Sequence, residues 1–194
     1  MNNRALFLDR DGVINHSMVK DGKPFAPTHF DDFEILPGVK EALIKSRQAG
    51  LRNIIVTNQP DLSTGKIKQE QFDLIQSYCL SELEIDAIKV CPHTELDNCD
   101  CRKPRPGLIT QAASEFGIDI GSSYMVGDRW RDIEAGQAAG CKSNFFIDYD
   151  YQEKRPDPPY IVIRSLAEAV LVILEEIELL KLRKKHEFSR QVKG

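Results

Sequence analysis

Short apolar runs alternate with stretches of helical periodicity along most of the chain. The apolar runs predict six strands, at residues 5–9, 53–58, 87–92, 124–128, 144–148 and 160–163. Most of these runs are continuously apolar, which is typical of strands that are covered on both faces of a sheet. The pattern between and after them predicts helices at residues 38–49, 68–83, 107–116, 131–139 and 166–185. This order predicts an α/β fold, with a parallel sheet and helices on both of its faces.

Length and composition favour one domain. The chain has 194 residues, of which 41% are hydrophobic and 29% charged, as in ordinary globular proteins. We assign residues 1–180 to a single Rossmann-like domain and residues 181–194 to a basic tail, in which six Lys or Arg residues accompany one Glu. About 40 residues separate Gly12 from the second strand, and the first helix uses part of them. We therefore expect no inserted cap domain.

Charge and hydropathy exclude several classes of function. The net charge of −4 argues against a broad nucleic-acid surface. No apolar run approaches the ~20 residues that span a bilayer. The N-terminal run ALFL is too short for a signal peptide. We expect a cytoplasmic protein, monomeric or weakly homo-oligomeric, that acts on a small metabolite.

Acidic and polar residues follow the predicted strands. In open α/β sheets, ligands bind beyond the carboxyl ends of the strands, where such side chains come together. The first, second and fourth strands end in polar groups, and the loop after the third strand delivers two cations. The residues concerned are Asp9, Asp11, Thr57, Asn58, Arg102, Lys103, Asp128 and Asp132.

This set of residues suits phosphoryl transfer. Asp9 can attack phosphorus to form an aspartyl phosphate, and Asp11 can protonate the leaving alcohol and then deprotonate water. Asp9, the Asp11 carbonyl and Asp128 would supply hard oxygen ligands to Mg²⁺. Thr57 and Lys103 would bind the non-bridging phosphate oxygens. The sequence therefore predicts a magnesium-dependent phosphatase of a small phosphorylated metabolite.

Three cysteines and a histidine lie close together before the two cations. Their spacing, C-x-H-x5-C-x-C, supplies a closed tetrahedral set of ligands for structural Zn²⁺, although a reduced loop with incidental cysteines is an alternative. A bound Zn²⁺ would hold the loop so that Arg102 and Lys103 project over the phosphate. The four expected ligands are Cys91, His93, Cys99 and Cys101.

The motifs DRDGV, TNQ, CRKPRPG and GDRWRD resemble the four motifs of the haloacid dehalogenase superfamily of phosphatases, in its capless branch. Within that branch the chain is similar to the heptose 1,7-bisphosphate phosphatases and the related histidinol-phosphatase domains. The resemblance implies the same roles for the nucleophile, the acid/base and the phosphate and metal ligands. It also implies that Asn58 and Arg102 contact the substrate and that Asp132 supports the metal site.

The substrate is less clearly indicated. The short zinc loop is more similar to the histidinol-phosphatase domain, whereas KPRPGLI is more similar to the heptose enzymes. Thr64 stands where the heptose enzymes usually have an arginine, so one candidate cation for a second phosphate is missing. We expect a heptose bisphosphate or a related sugar phosphate, with histidinol phosphate as the alternative. An inactive zinc-stabilised binding module is the alternative of a different class.

Overall fold

The computed structural model describes the backbone of residues 3–191 and the side chains of residues 3–183. Its strands are β1 (Arg4–Leu8), β2 (Met18–Lys20), β3 (Lys23–Phe25), β4 (Leu51–Asn58), β5 (Ala87–Cys91), β6 (Tyr124–Gly127), β7 (Ser143–Ile147) and β8 (Ile161–Ile163). Its helices are α1 (Val39–Gln48), α2 (Pro60–Ser63), α3 (Gln69–Glu82), α4 (Gly107–Phe116), α5 (Trp130–Ala139) and α6 (Leu166–Gln191). The six predicted strands and five predicted helices are all confirmed.

The main sheet has the strand order β5-β4-β1-β6-β7-β8, and every neighbouring pair is parallel. From β1 the chain builds the sheet outward to β5, then crosses back and builds the other half from β6. This reversal of strand order beside β1 is the switch point where open α/β sheets bind ligands. Because β4 and β6 both flank β1, the residues that follow these three strands meet at one edge of the sheet.

Helices cover both faces of the sheet, as the continuously apolar strands predict. On β1, Leu6 and Leu8 pack into the core formed with α1, α3 and α6, whereas Ala5 and Phe7 pack into the core formed with α4 and α5. All four side chains are fully buried. The central strand is therefore held rigidly from both sides, and with it the residue that follows it.

A two-stranded antiparallel hairpin of β2 and β3 lies in a segment where the apolar pattern predicts no strand. Its turn is Asp21-Gly22, and both residues have positive φ, 51° and 70°. Two-residue turns of this kind are the usual connection of tight hairpins, and Asp-Gly is among their preferred sequences. The carbonyl oxygen of Gly22 accepts a hydrogen bond of 2.8 Å from the Gln152 backbone, which ties the hairpin to the segment after β7.

The last helix continues beyond its predicted end at residue 185, as α6 reaches Gln191. Most of the predicted basic tail, residues 181–194, is therefore the end of this helix, and residues 192–194 lie outside the described residues. In the described part of the chain, no helix has an apolar stretch long enough to cross a membrane.

Candidate active site

Asp9 and Lys103 form the centre of the site. Asp9 directly follows β1, and the Lys103 ammonium lies 2.7 Å from its Oδ1 atom and 2.6 Å from Oδ1 of Asp132. Lys103 is only 2% exposed. Burial lowers the pKa of Lys103, but the ion pairs with Asp132 and Asp9 outweigh it and the net shift is upward. A fixed positive charge thus stands beside Asp9, as the sequence predicts.

Three buried carboxylates, those of Asp9, Asp128 and Asp132, bring oxygens within 4.8 Å of one another. Burial and then the neighbouring charge of Asp132 raise the pKa of Asp9 to about 6. Burial and then the charges of Asp9 and Asp132 raise that of Asp128 well above its usual value. One ammonium therefore leaves this acidic cluster undercompensated, which is the electrostatic environment that a divalent cation stabilises.

The cluster also has carboxylate oxygens that are free to bind a metal ion. Among the described residues, neither oxygen of Asp128 has a hydrogen-bond partner of normal geometry, although the Tyr151 hydroxyl is close enough to offset part of the rise in its pKa. One oxygen of Asp132 forms the ion pair with Lys103, and the other accepts a hydrogen bond of 2.9 Å from the Arg129 backbone amide. Asp9 and Asp128 are thus available as ligands, with Asp132 in a supporting position.

Gly12 makes room for this arrangement. Its φ is +91°, and a Cβ atom at this position would lie 2.0 Å from Oδ2 of Asp128. Only a residue without a side chain allows the loop after β1 to approach Asp128 so closely.

Asp11 is held by three side chains that the sequence analysis did not assign. Arg10, fully buried, places its guanidinium 3.1 Å from Oδ2 of Asp11. The Gln59 amide donates to the same oxygen at 2.7 Å and to Thr57 Oγ1 at 2.9 Å, and the Asn15 amide donates to Oδ1 at 3.0 Å. Arg10 and Gln59 belong to the DRDG and TNQ motifs, so their position in the motifs was the available signal. Asp11 and Thr57 are thereby connected in one hydrogen-bonded network.

The predicted contact of Asn58 with substrate stays a prediction; in the structure, both polar groups of its side chain bind the Lys103 backbone. Its Nδ2 donates to the Lys103 carbonyl at 3.1 Å, and its Oδ1 accepts from the Lys103 amide at 3.0 Å. This reciprocal pair fixes the main chain from which the Lys103 ammonium extends. This geometry supports a positioning role for Asn58 in addition to the predicted contact with substrate.

The four residues of the expected zinc site converge. Cys91 ends β5, and its Sγ lies 3.7 Å from Cys99 Sγ and 3.3 Å from Cys101 Sγ. His93 Nδ1 lies 3.2 Å from Cys101 Sγ. Tetrahedral coordination with Zn–S bonds of about 2.3 Å requires ligand separations of roughly 3.7 Å, close to those found here. The cluster can hold a metal ion, and its four donors leave no open position for catalysis.

A cavity of about 270 Å³ opens over Asp9 and Asp11. Arg102 does not line this cavity, and its predicted place over the phosphate stays a prediction. Instead, its guanidinium donates to the His93 carbonyl at 2.9 Å and lines an adjoining cavity of about 330 Å³. Thr64, which lies just after α2, does not line the first cavity either. Four cationic residues that sequence reasoning did not assign do line it: Lys23, Lys66, Arg129 and Arg131.

Known proteins are similar to this chain in sequence and in fold. The family model for HAD-hydrolase-like proteins matches residues 100–169. The D-glycero-beta-D-manno-heptose-1,7-bisphosphate 7-phosphatase of Helicobacter pylori is 36% identical over 151 residues, which cover 75% of this chain and 84% of that protein. The enzyme of the same name from Escherichia coli K12 is 36% identical over 157 residues, which cover 74% and 78%.

A solved structure extends the match over the whole fold. The D,D-heptose 1,7-bisphosphate phosphatase from B. bronchiseptica, complexed with magnesium and phosphate, superposes with a TM-score of 0.75 at 29% identity, covering 90% of this chain and 99% of that one. The fold, the buried aspartates and these matches define a phosphatase of haloacid dehalogenase type. Within that class, the chain belongs to the family of the heptose-1,7-bisphosphate 7-phosphatases. The histidinol-phosphatase alternative is not favoured.

Proposed function

We propose that this phosphatase removes the 7-phosphate of D-glycero-β-D-manno-heptose 1,7-bisphosphate through an aspartyl phosphate on Asp9. The observation that carries the chemistry is the buried pair of Asp9 and Lys103 at 2.7 Å, at the floor of an open cavity. The names of the relatives support the choice of substrate. The alternative of an inactive binding module is disfavoured, because burying three carboxylates is costly and binding alone does not require it.

The first half-reaction transfers the phosphoryl group to the protein. A carboxylate oxygen of Asp9 bonds to phosphorus while the bond between phosphorus and the C7 oxygen breaks. Asp11 gives its proton to that departing oxygen, so the sugar leaves as an alcohol. The Lys103 ammonium and the Thr57 hydroxyl bind the non-bridging oxygens as their charge develops.

The second half-reaction releases phosphate. Asp11, now a carboxylate, accepts a proton from water as the water oxygen bonds to phosphorus and the acyl phosphate P–O bond breaks. Asp9 is thereby restored, and inorganic phosphate leaves. Hydrogen bonds from Gln59, Asn15 and Arg10 keep Asp11 oriented through both steps.

Two metal ions complete the proposal. Asp9, Asp128 and the Asp11 carbonyl would hold Mg²⁺, which supplies a positive charge that offsets repulsion between the nucleophile and the phosphate dianion. Cys91, His93, Cys99 and Cys101 would hold Zn²⁺, which stabilises the loop that carries Lys103.

A substrate panel tests the proposal. Phosphate release is measured with heptose 1,7-bisphosphate, histidinol phosphate and an aryl phosphate, with and without Mg²⁺, for the wild type and Asp9→Asn. We expect the heptose bisphosphate to have the highest kcat/KM, and Asp9→Asn to abolish turnover because an amide does not form the acyl phosphate. Asp31→Asn, at an exposed acid in a surface turn, is the matched control. Near-normal turnover by Asp9→Asn refutes the mechanism, and a tenfold preference for histidinol phosphate refutes the substrate.

A further inference from the structure

The segment after β7 reaches the catalytic edge of the sheet through a tyrosine that the phosphoryl-transfer site does not use. Tyr149 lies two residues after β7, and its hydroxyl donates a hydrogen bond of 3.1 Å to the carbonyl oxygen of Gly12, in the loop after β1. β7 lies two strands away from β1 in the sheet, which is a distance of roughly 10 Å. Tyr149 therefore extends past the end of β6, where Asp128 lies, to hold the loop that carries Asp11.

Both peptide groups that flank the Cα atom of Gly12 are hydrogen-bonded. The Gly12 N–H donates to the Asn15 carbonyl at 2.7 Å, and the Gly12 carbonyl accepts the hydrogen bond from Tyr149. The Gly12 N–H and the Asp11 carbonyl belong to one planar trans peptide group, so they point in opposite directions. The two hydrogen bonds therefore fix φ and ψ of Gly12 and, with them, the direction of the Asp11 carbonyl oxygen.

An external restraint matters at Gly12 because this position does not tolerate a side chain. A Cβ atom there would lie 2.0 Å from Oδ2 of Asp128, and glycine, which avoids this clash, is also the residue with the most backbone freedom. A change in the Gly12 angles would move the Asp11 carbonyl relative to Asp128. These two groups are proposed ligands of the same Mg²⁺, so the hydrogen bond from Tyr149 limits how far they can separate.

Tyr149 is itself held in place by the residues that follow it. Its ring centroid lies 5.5 Å from that of Tyr151, whose hydroxyl lies close to the Asp128 carboxylate. The Gln152 N–H donates to the Gly22 carbonyl at 2.8 Å, which attaches the segment to the hairpin. Burial and then the charge of Asp128 raise the pKa of both phenols, so both hydroxyls keep their protons at neutral pH and can donate hydrogen bonds.

We infer that Tyr149 is a positioning residue of the Mg²⁺ site, whose hydroxyl orients the Asp11 carbonyl by holding Gly12. The inference rests on the proposed function, because the Mg²⁺ site is part of that proposal. It extends the metal site to the segment after β7, which lies beyond the last of the four sequence motifs.

Variants at one position test this inference. Binding of Mg²⁺ to protein dialysed free of Mg²⁺ is measured by isothermal titration calorimetry for the wild type, Tyr149→Phe and Tyr149→Leu. Tyr160→Phe is the matched control, because Tyr160 also follows β7 but packs against Phe146 and lines a different cavity. Tm without Mg²⁺ and hydrolysis of p-nitrophenyl phosphate at increasing Mg²⁺ are measured on the same samples. Tyr149 is 42% exposed, so both of its variants are expected to fold.

We expect Tyr149→Phe to raise the Kd of Mg²⁺ about tenfold, the lower end of the effect of residues that orient metal ligands. The Mg²⁺ concentration for half-maximal hydrolysis should rise by the same factor, whereas kcat at saturating Mg²⁺ should stay within about twofold of the wild type. Tm without Mg²⁺ should fall by only about 2–4 °C, as for the loss of one hydrogen bond. Tyr149→Leu should match the Kd of Tyr149→Phe, because the hydroxyl is the group that acts, and Tyr160→Phe should keep the wild-type Kd.

The same titrations separate this inference from the proposed function. If Tyr149→Phe binds Mg²⁺ as tightly as the wild type while its Tm falls, Tyr149 only stabilises the fold, so the inference is wrong and the proposed metal site stands. A loss of affinity in Tyr149→Leu but not in Tyr149→Phe also refutes the inference, because the ring and not the hydroxyl then matters. If the wild type binds no Mg²⁺, the proposed metal site is wrong and the inference fails with it.

Discussion

Replacing Asn58 with alanine tests whether this residue positions Lys103 or binds substrate. The change removes two hydrogen bonds to the Lys103 backbone, of 3.1 and 3.0 Å. At about 1 kcal/mol each, their loss should lower the free energy of unfolding by about 2 kcal/mol. For a chain of this size, that corresponds to a fall in Tm of about 4–8 °C.

The catalytic effect should be larger than the stability effect suggests. Without Asn58 the main chain at Lys103 is free to shift, and a displacement of about 1 Å in a catalytic group can cost on the order of 100-fold in rate. We therefore expect kcat for the preferred substrate to fall about 100-fold while KM changes little. The assays are steady-state phosphate release and thermal unfolding on the same samples.

Asn53→Ala is the matched control for this experiment. Asn53 is fully buried, and its side chain donates to the carbonyls of Leu43 and Glu84 and accepts from Ser46, away from the cavity. Its replacement should cost about 3 kcal/mol of stability without lowering kcat. If Asn58→Ala instead raises KM and leaves kcat unchanged, Asn58 binds substrate directly and the positioning role is wrong.

Three further predictions concern the metal sites and the acids. Gly12→Ala should abolish Mg²⁺-dependent turnover, because its Cβ would lie 2.0 Å from Asp128 Oδ2, and retained Mg²⁺ affinity in a titration would contradict this. Cys99→Ser should lower the bound zinc measured by metal analysis and reduce Tm, whereas the same change at Cys79, which is buried in the core away from the loop, should leave zinc content unchanged. The pKa of Asp9 is about 6 in the folded protein and 3.8 as the ordinary value, so protonation favours the folded state. The free energy of unfolding that Asp9 contributes is fully present below pH 3.8 and is lost as the pH rises to about 6. The loss is about 3 kcal/mol, at about 1.36 kcal/mol for each unit by which the pKa is raised. Denaturant unfolding without metal should show this loss, Mg²⁺ should reduce it, and a loss of the same size with saturating Mg²⁺ would contradict the site.

The strands of the sheet and the polar residues that follow them could be predicted from the sequence because one physical cause dominates there. A parallel strand that is covered on both faces needs a continuous apolar run, and such runs mark β1, β4, β6 and β7 with little ambiguity. The polar residue that ends each run then falls at the carboxyl edge whatever the details of packing. Asp9 and Asp128 were predicted on this basis, and the structure brings them together.

Other features depend on contacts that a linear pattern does not encode. The partners of Asn58 lie 45 residues away in the chain, so its side chain could be assigned to Lys103 only after folding. Arg10 is buried and ion-paired with the adjacent Asp11, although arginine is usually exposed. The hairpin is a different case, because Asp21-Gly22 is a recognisable turn signal and its flanking runs were too short to be read as strands.

The path of the loop that carries Cys91, His93, Cys99 and Cys101 indicates how a metal ion bound there would affect the position of Lys103. Asn58 on β4 pairs with Cys91 on β5, where the loop leaves the sheet. The loop therefore begins beside Asn58, the residue whose side chain accepts a hydrogen bond from the Lys103 amide. The burial of Lys103 is opposed by the cost of removing its charge from water, which is several kcal/mol for an ion in a protein interior. The loop has no large apolar core to offset this cost, whereas structural Zn²⁺ binding contributes on the order of 10 kcal/mol to folding. With Zn²⁺ bound, the metal at one side of the loop and the Asn58 amide at the other would together hold the ammonium between Asp9 and Asp132 before substrate arrives.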